Sequence, residues 1–394
     1  MKFNSIKPPY RVPTMKEISE VPWNGFTVAS TFSGCGGSSL GYKMAGFKVA
    51  WASEFIKAAQ QTYRDNHTDT ILDTRDIRNV QPDEILSALG MESGQLDLLD
   101  GSPPCASFSL SGNREDSWGL VKAYSDTKQR TDDLFFEFVR ILKGVQPKVF
   151  VAENVKGLIS GKAKGYFLEI LSALKASGYD VSCRVLDAQW LGVPQGRQRT
   201  IFIGVRNDLK AKPAHPLPLP YRYSIRDAIP WVTSIYVDQV TPTHGDEKIT
   251  KFKVEKTLPT VTANGIGSDC LYDWTVAAES GLSGYCAGRE WDKLSIGQQS
   301  EKYFNLIKVN PNKPSPTICA SHGTMGSASP VHPVEKRKFS IAELKRLCAF
   351  PDDFILSGSY AKQWERLGRA VPPVMMSHIA ATIRDQILNK CAHK

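Results

Sequence analysis

Between Phe26 and about Arg206 the chain alternates short apolar runs with amphipathic ones, and few folds accommodate that pattern. F-T-V-A-S-T, F-K-V-A-W-A-S, L-D-L-L-D, K-V-F-V-A-E, Y-D-V-S-C-R-V-L and T-I-F-I-G-V each read as a buried strand. Between them, S-L-G-Y-K-M-A, F-I-K-A-A-Q-Q-T-Y, D-E-I-L-S-A-L, D-L-F-F-E-F-V-R-I-L and Y-F-L-E-I-L-S-A-L-K carry helical periodicity. Strands separated by helices in this way point to an α/β fold with a doubly wound, mostly parallel sheet.

The texture changes after Asn207. K-P-A-H-P-L-P-L-P opens a stretch rich in Gly, Pro, Thr and Ser and poor in clear helix. We therefore expect three parts: residues 1–206 as the main domain, 207–335 as a second, smaller and irregular one, and 336–394 returning to the first. K-T-L-P-T-V-T-A-N-G (256–265) and K-P-S-P-T-I-C-A-S-H-G (313–323) echo each other faintly, as two strand-and-turn units of similar chemistry would. Helix resumes at S-I-A-E-L-K-R-L-C-A-F, where Ser340 and Glu343 fit a capping box, and P-P-V-M-M-S-H-I-A-A-T-I-R-D-Q-I-L reads as core.

A formal charge of +9 favours an anionic partner, with nucleic acid the first candidate. No apolar run approaches the roughly 20 residues of a membrane span, and the N-terminus M-K-F-N-S-I-K-P-P-Y-R-V-P lacks the hydrophobic centre of a signal peptide. Eight scattered cysteines without a C-x-x-C pair suit reduced thiols in a cytoplasm. Cys270, Cys286, His322 and His332 do not match the spacing of a metal site, so no metal is expected.

F-S-G-C-G-G (32–37) follows one expected strand and opens a helix, a place where glycines let a ligand approach the backbone. The next strand ends in Ser53-Glu54, about twenty residues on, where an acid can accept ribose hydroxyls. Phe55 can stack on a purine, and Asp76 in T-R-D-I can receive an adenine amino group. Together these describe an adenosine pocket. A dinucleotide site uses the first two features as well, so the residues alone leave it open.

G-S-P-P-C-A-S-F-S-L-S-G (101–112) continues from the end of another strand. Two prolines fix φ and remove two donors, which holds Cys105 stiffly, whereas the polar tail after it is loose. Isolated cysteines are mostly inert core; this setting favours a nucleophile. Glu153 in K-V-F-V-A-E-N-V ends a further strand, where a protonated glutamate can donate to a ring nitrogen. In Q-G-R-Q-R-T-I-F-I-G, Arg197 and Arg199 lie two apart and are expected on one face of a strand, bracing a carbonyl oxygen, a phosphate or the glutamate.

In order, F-S-G-C-G-G, S-E-F, R-D-I, G-S-P-P-C, D-L-F-F-E-F-V-R-I-L, E-N-V, G-V-P-Q-G-R-Q-R, R-K-F-S-I-A-E-L-K-R-L-C-A-F-P-D-D-F and G-R-A-V-P-P resemble the motifs of the bacterial cytosine-5 DNA methyltransferases of restriction–modification systems. The resemblance runs from about residue 26 to 388, and its unmatched gap falls where that family keeps its target-recognition domain. It implies a Rossmann-like, S-adenosyl-L-methionine-dependent methyltransferase domain. It implies further that Phe32, Ser33, Gly34, Cys35, Gly36, Gly37, Glu54, Phe55, Asp76, Ile77, Pro104, Leu134, Arg369 and Ala370 bind that cofactor. Cys105 becomes the nucleophile, Glu153 the residue that polarises the base, and Arg199, aided by Arg197, the support at the cytosine O2. The implied partner is double-stranded DNA, with the enzyme acting as a monomer beside a cognate restriction endonuclease that cuts the same site.

The chain departs from the family pattern at Ala106, where glutamine is usual, at Arg369, where G-N-A-V is usual, and in R-D-I for G-D-I. A tRNA cytosine-5 methyltransferase built on the same motifs is the nearest rival. A nicotinamide-dependent oxidoreductase would leave Cys105, Glu153 and the arginines unexplained, and a catalytically silent DNA-binding module would not need them.

Overall fold

The computed structural model describes residues 7–104, 122–124, 127–129, 133–159, 163–233, 236–239, 251–254 and 281–392. In chain order the main strands are β1 (Thr27–Thr31), β2 (Lys48–Ser53), β3 (Ile71–Asp73), β4 (Leu98–Gly101), the small antiparallel pair β5 (Lys122–Tyr124) and β6 (Thr127–Gln129), β7 (Val149–Val155), β8 (Tyr179–Asp187) and β9 (Gln198–Arg206). Seven of them form one sheet in the order β3-β2-β1-β4-β7-β9-β8. All neighbours are parallel except β9, which runs antiparallel to both β7 and β8. The six strands expected from the apolar runs are all present. β3 is an addition: three half-exposed residues are too few for periodicity to register.

Alternation along each strand divides the core in two. Val28, Val49, Leu98, Val149, Val151, Ile201, Ile203 and Val205 face one side of the sheet and meet Met375, Met376, Ile379 and Ile383. Ala29, Leu99, Phe150, Ala152 and Phe202 face the other and meet Phe135, Phe138, Ile141, Leu142 and Ile170. Each such side chain, fully buried, contributes roughly 1.5–3 kcal/mol, so shifting the register of one central strand is costly on both faces. The C-terminal helix Pro373–Ile383 is therefore part of the first core, as its methionine and isoleucine spacing suggested. It lies against the helix Gly37–Met44 so closely that a Cβ on Gly41 would fall 2.5 Å from the Pro373 carbonyl oxygen.

Among the described residues after 207, apolar side chains fall into two clusters. Ile225, Ala228, Ile229, Val232, Val309 and Ile318 pack with Cys35, Leu40, Phe339, Leu344 and Trp364 in a cluster that joins both ends of the chain. A separate small cluster, Leu282, Ala287, Leu294, Leu306 and Val331, holds the stretch from about 281 to 331. The 256–265 half of the internal echo lies outside the described residues.

Candidate active site

The parallel strands end at one edge of the sheet, and the reversed β9 begins there, so the turns after β1, β2, β3, β4 and β7 converge with Gln198 and Arg199. They enclose a cavity of about 970 Å³. Of the described residues singled out from the sequence, every one except Gly36 lines it: Phe32, Ser33, Gly34, Cys35, Gly37, Glu54, Phe55, Asp76, Ile77, Pro104, Leu134, Glu153, Arg197, Arg199, Arg369 and Ala370. Cys105 and Ala106 lie outside the described residues, directly after Pro104.

At the end of β1 the backbone turns sharply through left-handed conformations at Phe32 (φ 53°), Gly34 (φ 59°) and Gly36 (φ 90°). A phenylalanine rarely adopts such a φ, and strain of this kind gathers at ligand sites. The turn is held by Glu54, whose carboxylate accepts the Gly34 N–H at 2.7 Å and the Ile56 N–H at 2.7 Å. Burial raises the Glu54 carboxyl above its usual range, and the two backbone donors oppose that rise. A Cβ on Gly34 would meet nothing within 4 Å and would project into the cavity, whereas one on Gly36 would collide with the buried His67 ring at 2.1 Å. Gly36 is thus required by packing, one layer behind the lining. Phe55 keeps 39 % of its surface open toward the cavity. Asp76 shares its carboxylate with Arg78, which also reaches Asp133 at 2.8 Å.

This wall fits an adenosine sulfonium: an acid for a ribose, an open aromatic face, apolar Leu134 and Pro104, and a glycine cradle that a side chain would fill. Beneath it Asp100, 1 % exposed, receives the Ser30 hydroxyl at 2.9 Å and the Tyr42 hydroxyl at 3.0 Å. Burial, with a lesser push from Glu153, raises its carboxyl to about 7.

The opposite wall starts from Glu153 and Arg199 on neighbouring strands. Glu153 is directly across from Ile201, which makes Arg199 its diagonal partner on the same face. Arg199 Nε donates to Glu153 Oε1 at 2.8 Å, and both side chains are almost wholly enclosed. Asn154 turns back and donates to the Pro103 carbonyl at 3.2 Å, tying this strand end to the proline turn. Nothing in the sequence singled out Asn154, since an asparagine beside an acid is unremarkable until its acceptor is known.

Arg197 departs from the expectation. It precedes β9 rather than sharing a strand face with Arg199, and its guanidinium turns to backbone oxygens: Ile318 at 3.1 Å, Gly368 at 2.9 Å and Ala370 at 2.9 Å. Desolvation by burial, then the neighbouring Arg199 charge, lowers it to about 9. Its two terminal nitrogens knit three chain segments together and so hold the wall in place, while its buried Nε meets no partner among the described residues. Gln195 does similar work, linking Ile318 N–H to the Leu347 carbonyl. Thr317, Cys319, Ala320 and Ser321 of the second echo also line the cavity, as do Phe304 and Asn305. Arg369 is held by Glu365 one helical turn before it, at 2.9 Å.

A family model described as C-5 cytosine-specific DNA methylase matches residues 26–385. The chain is 30 % identical over 390 residues to the type II methyltransferase M.DdeI of Desulfomicrobium norvegicum, covering 90 % of this chain and 88 % of that one. It is 27 % identical over 371 residues to M.NgoPII of Neisseria gonorrhoeae, covering 94 % and 98 %. Among solved structures, S. pombe Dnmt2 methyltransferase shares the fold at a TM-score of 0.57 and 16 % identity, covering 91 % of this chain and 98 % of that one. Among the described residues, no helix is long and apolar enough to cross a membrane.

Proposed function

The chain belongs to the C-5 cytosine-specific DNA methylases, and from that premise we propose how its own residues carry out the reaction. The substrate is a cytosine swung out of a specific double-stranded DNA sequence, the methyl donor is S-adenosyl-L-methionine, and Cys105 is the nucleophile. The observation that carries this reading is the meeting of the glycine turn, the proline turn and the Glu153–Arg199 pair around one cavity.

S-adenosyl-L-methionine, when bound, supplies an electrophilic methyl group. Gly34, Glu54, Phe55, Asp76 and Leu134 are the residues that would hold it. Cytosine C5 is too weak a nucleophile to react unaided. Addition of the Cys105 thiolate to C6 makes C5 carbanion-like, provided that N3 is engaged by a proton donor. Glu153 fills that role when it carries a proton, and Arg199 fixes its carboxyl while offering N–H groups to the base O2. C5 then takes the methyl group, its proton is lost to water, and the electron pair returning to the C5–C6 bond expels the Cys105 thiolate. Extruding the base costs roughly a few kcal/mol, met by contacts the cavity makes only with the extruded form. Asn154 and Pro103 keep the thiol turn at a fixed distance from the acid.

Residues 207–335 are the part proposed to read the DNA sequence through base-edge contacts. The type II methyltransferase names of its relatives support a restriction–modification role with an endonuclease sharing the site. The test is a plasmid from a methylation-free host expressing this chain, read by bisulfite sequencing. One fixed sequence should be protected, and Cys105→Ser should abolish protection while DNA binding persists. Methylation by the purified serine variant would refute the nucleophile.

A further inference from the structure

Two of the phenylalanines lining the cavity are exposed. Phe55 stands at the cofactor end; Phe304 is on the wall contributed by the second region, and at 80 % exposure it is the most open large apolar side chain among the described residues. Its exposure is not that of a loose loop. Leu306 N–H closes the turn onto the Tyr303 carbonyl at 2.9 Å, and Leu306 and Tyr303 both pack into the small core around Leu282 and Val331. Ser300 Oγ receives the N–H groups of Lys302 and Tyr303 at 3.1 Å each and donates to Glu290 at 2.8 Å. The Gln299 side chain is bonded to the Phe304 carbonyl itself. A backbone pinned at five points thus holds one aromatic ring out toward the cavity that contains Glu153 and Arg199.

We propose that Phe304 is a wedge that stacks against the bases flanking the target cytosine as that cytosine leaves the duplex. The inference rests on the DNA cytosine-5 reading and adds a residue to it. A fixed, exposed ring has low entropy to lose on contact, and the only apolar planar surfaces a DNA duplex can offer it are bases. The surroundings suit DNA rather than an apolar protein partner: Lys302 lies over the adjacent Tyr303 ring, and Lys156, Arg199 and Arg369 share the cavity. Asn305, next in the turn and also on the cavity wall, is a polar neighbour suited to a base edge or phosphate.

The test uses the full chain and a duplex carrying the site mapped by bisulfite sequencing, with 2-aminopurine beside the target cytosine. Phe304→Ala should lower the methylation rate and the 2-aminopurine signal by about ten- to a hundred-fold, the range of an aromatic–base stack. S-adenosylhomocysteine affinity and Tm should not change. Phe304→Trp should restore most of the signal, and a mismatch opposite the target, which leaves the base easier to extrude, should rescue the alanine variant. Wild-type rates in Phe304→Ala, a loss that the mismatch does not relieve, or a fall in Tm with no DNA-specific effect would each overturn the wedge. Absence of methylated cytosine with the unmutated enzyme would instead remove the premise.

Discussion

The two walls of the cavity are built on opposite principles. The cofactor wall is local: apart from Leu134 its residues sit within a few positions of the ends of their own strands, and the turn is locked by Glu54 and its two backbone donors. The wall around Arg199 is assembled from distant pieces, residues 187–199, 304–321 and 365–371, and is joined by buried groups that bond to carbonyl oxygens. Arg197 spans three such segments, and Lys338, wholly buried, donates to the His322 and Thr324 carbonyls at 2.6 and 2.7 Å. The contrast teaches that two arginines two residues apart can have unrelated work, one facing the cavity chemistry and one holding the wall up.

Breaking Arg197 should therefore have the largest effect. Arg197→Ala leaves three buried carbonyls without their donor, at roughly 1–3 kcal/mol each, and both the denaturation midpoint and activity should fall. Arg199→Ala should spare the midpoint and lose activity alone; equal destabilisation by the two variants would erase the distinction. Glu153→Gln comes next, lowering the methylation rate by roughly 10²–10⁴-fold in single-turnover assays with little change in Tm.

On the cofactor wall the expected effects are smaller. Phe55→Ala removes a stacking face and should weaken S-adenosylhomocysteine binding by roughly two- to ten-fold in calorimetric titration, with stability intact. Asp100→Asn is the mildest. Because the folded Asp100 carboxyl is raised to about 7, its neutral form is favoured in the native state, and stability is lost as pH climbs from the ordinary aspartate range through 7. The asparagine variant lacks that loss. Its Tm should match the wild type near the ordinary aspartate pKa, about pH 4, and exceed it at pH 8; a constant difference across that range would show that Asp100 does not titrate there.

The same contrast explains what could be read from the sequence. Unbroken apolar runs in K-V-F-V-A-E and T-I-F-I-G-V located the central strands, because both sheet faces are buried and each must be apolar. The glycine turn, Glu54, Phe55, Asp76 and Glu153 were visible for a related reason: a turn at a strand end needs particular residue types, and the fold gathers them around one cavity. Arg197 was placed beside Arg199 because spacing on a strand predicts a shared face, but the strand starts one residue later. Its acceptors were invisible, since every residue has a carbonyl and none advertises which donor it will meet. Phe304 was hidden in a stretch of weak periodicity, where an exposed ring looks like any other loop residue until its turn and its cavity are seen together.

The close fit of Gly41 beneath Pro373 and Met376 has a consequence for how the molecule comes into being. The helix that follows the glycine turn, Gly37–Met44, rests on Pro373–Ile383, which is synthesised far later. At roughly 5–20 residues per second, tens of seconds separate the two in synthesis. During that interval the first motif waits on an unfinished foundation. A nascent chain stalled in the second region would carry most of its binding residues without that helix beneath them, so methylation should begin only once Pro373–Ile383 has been made.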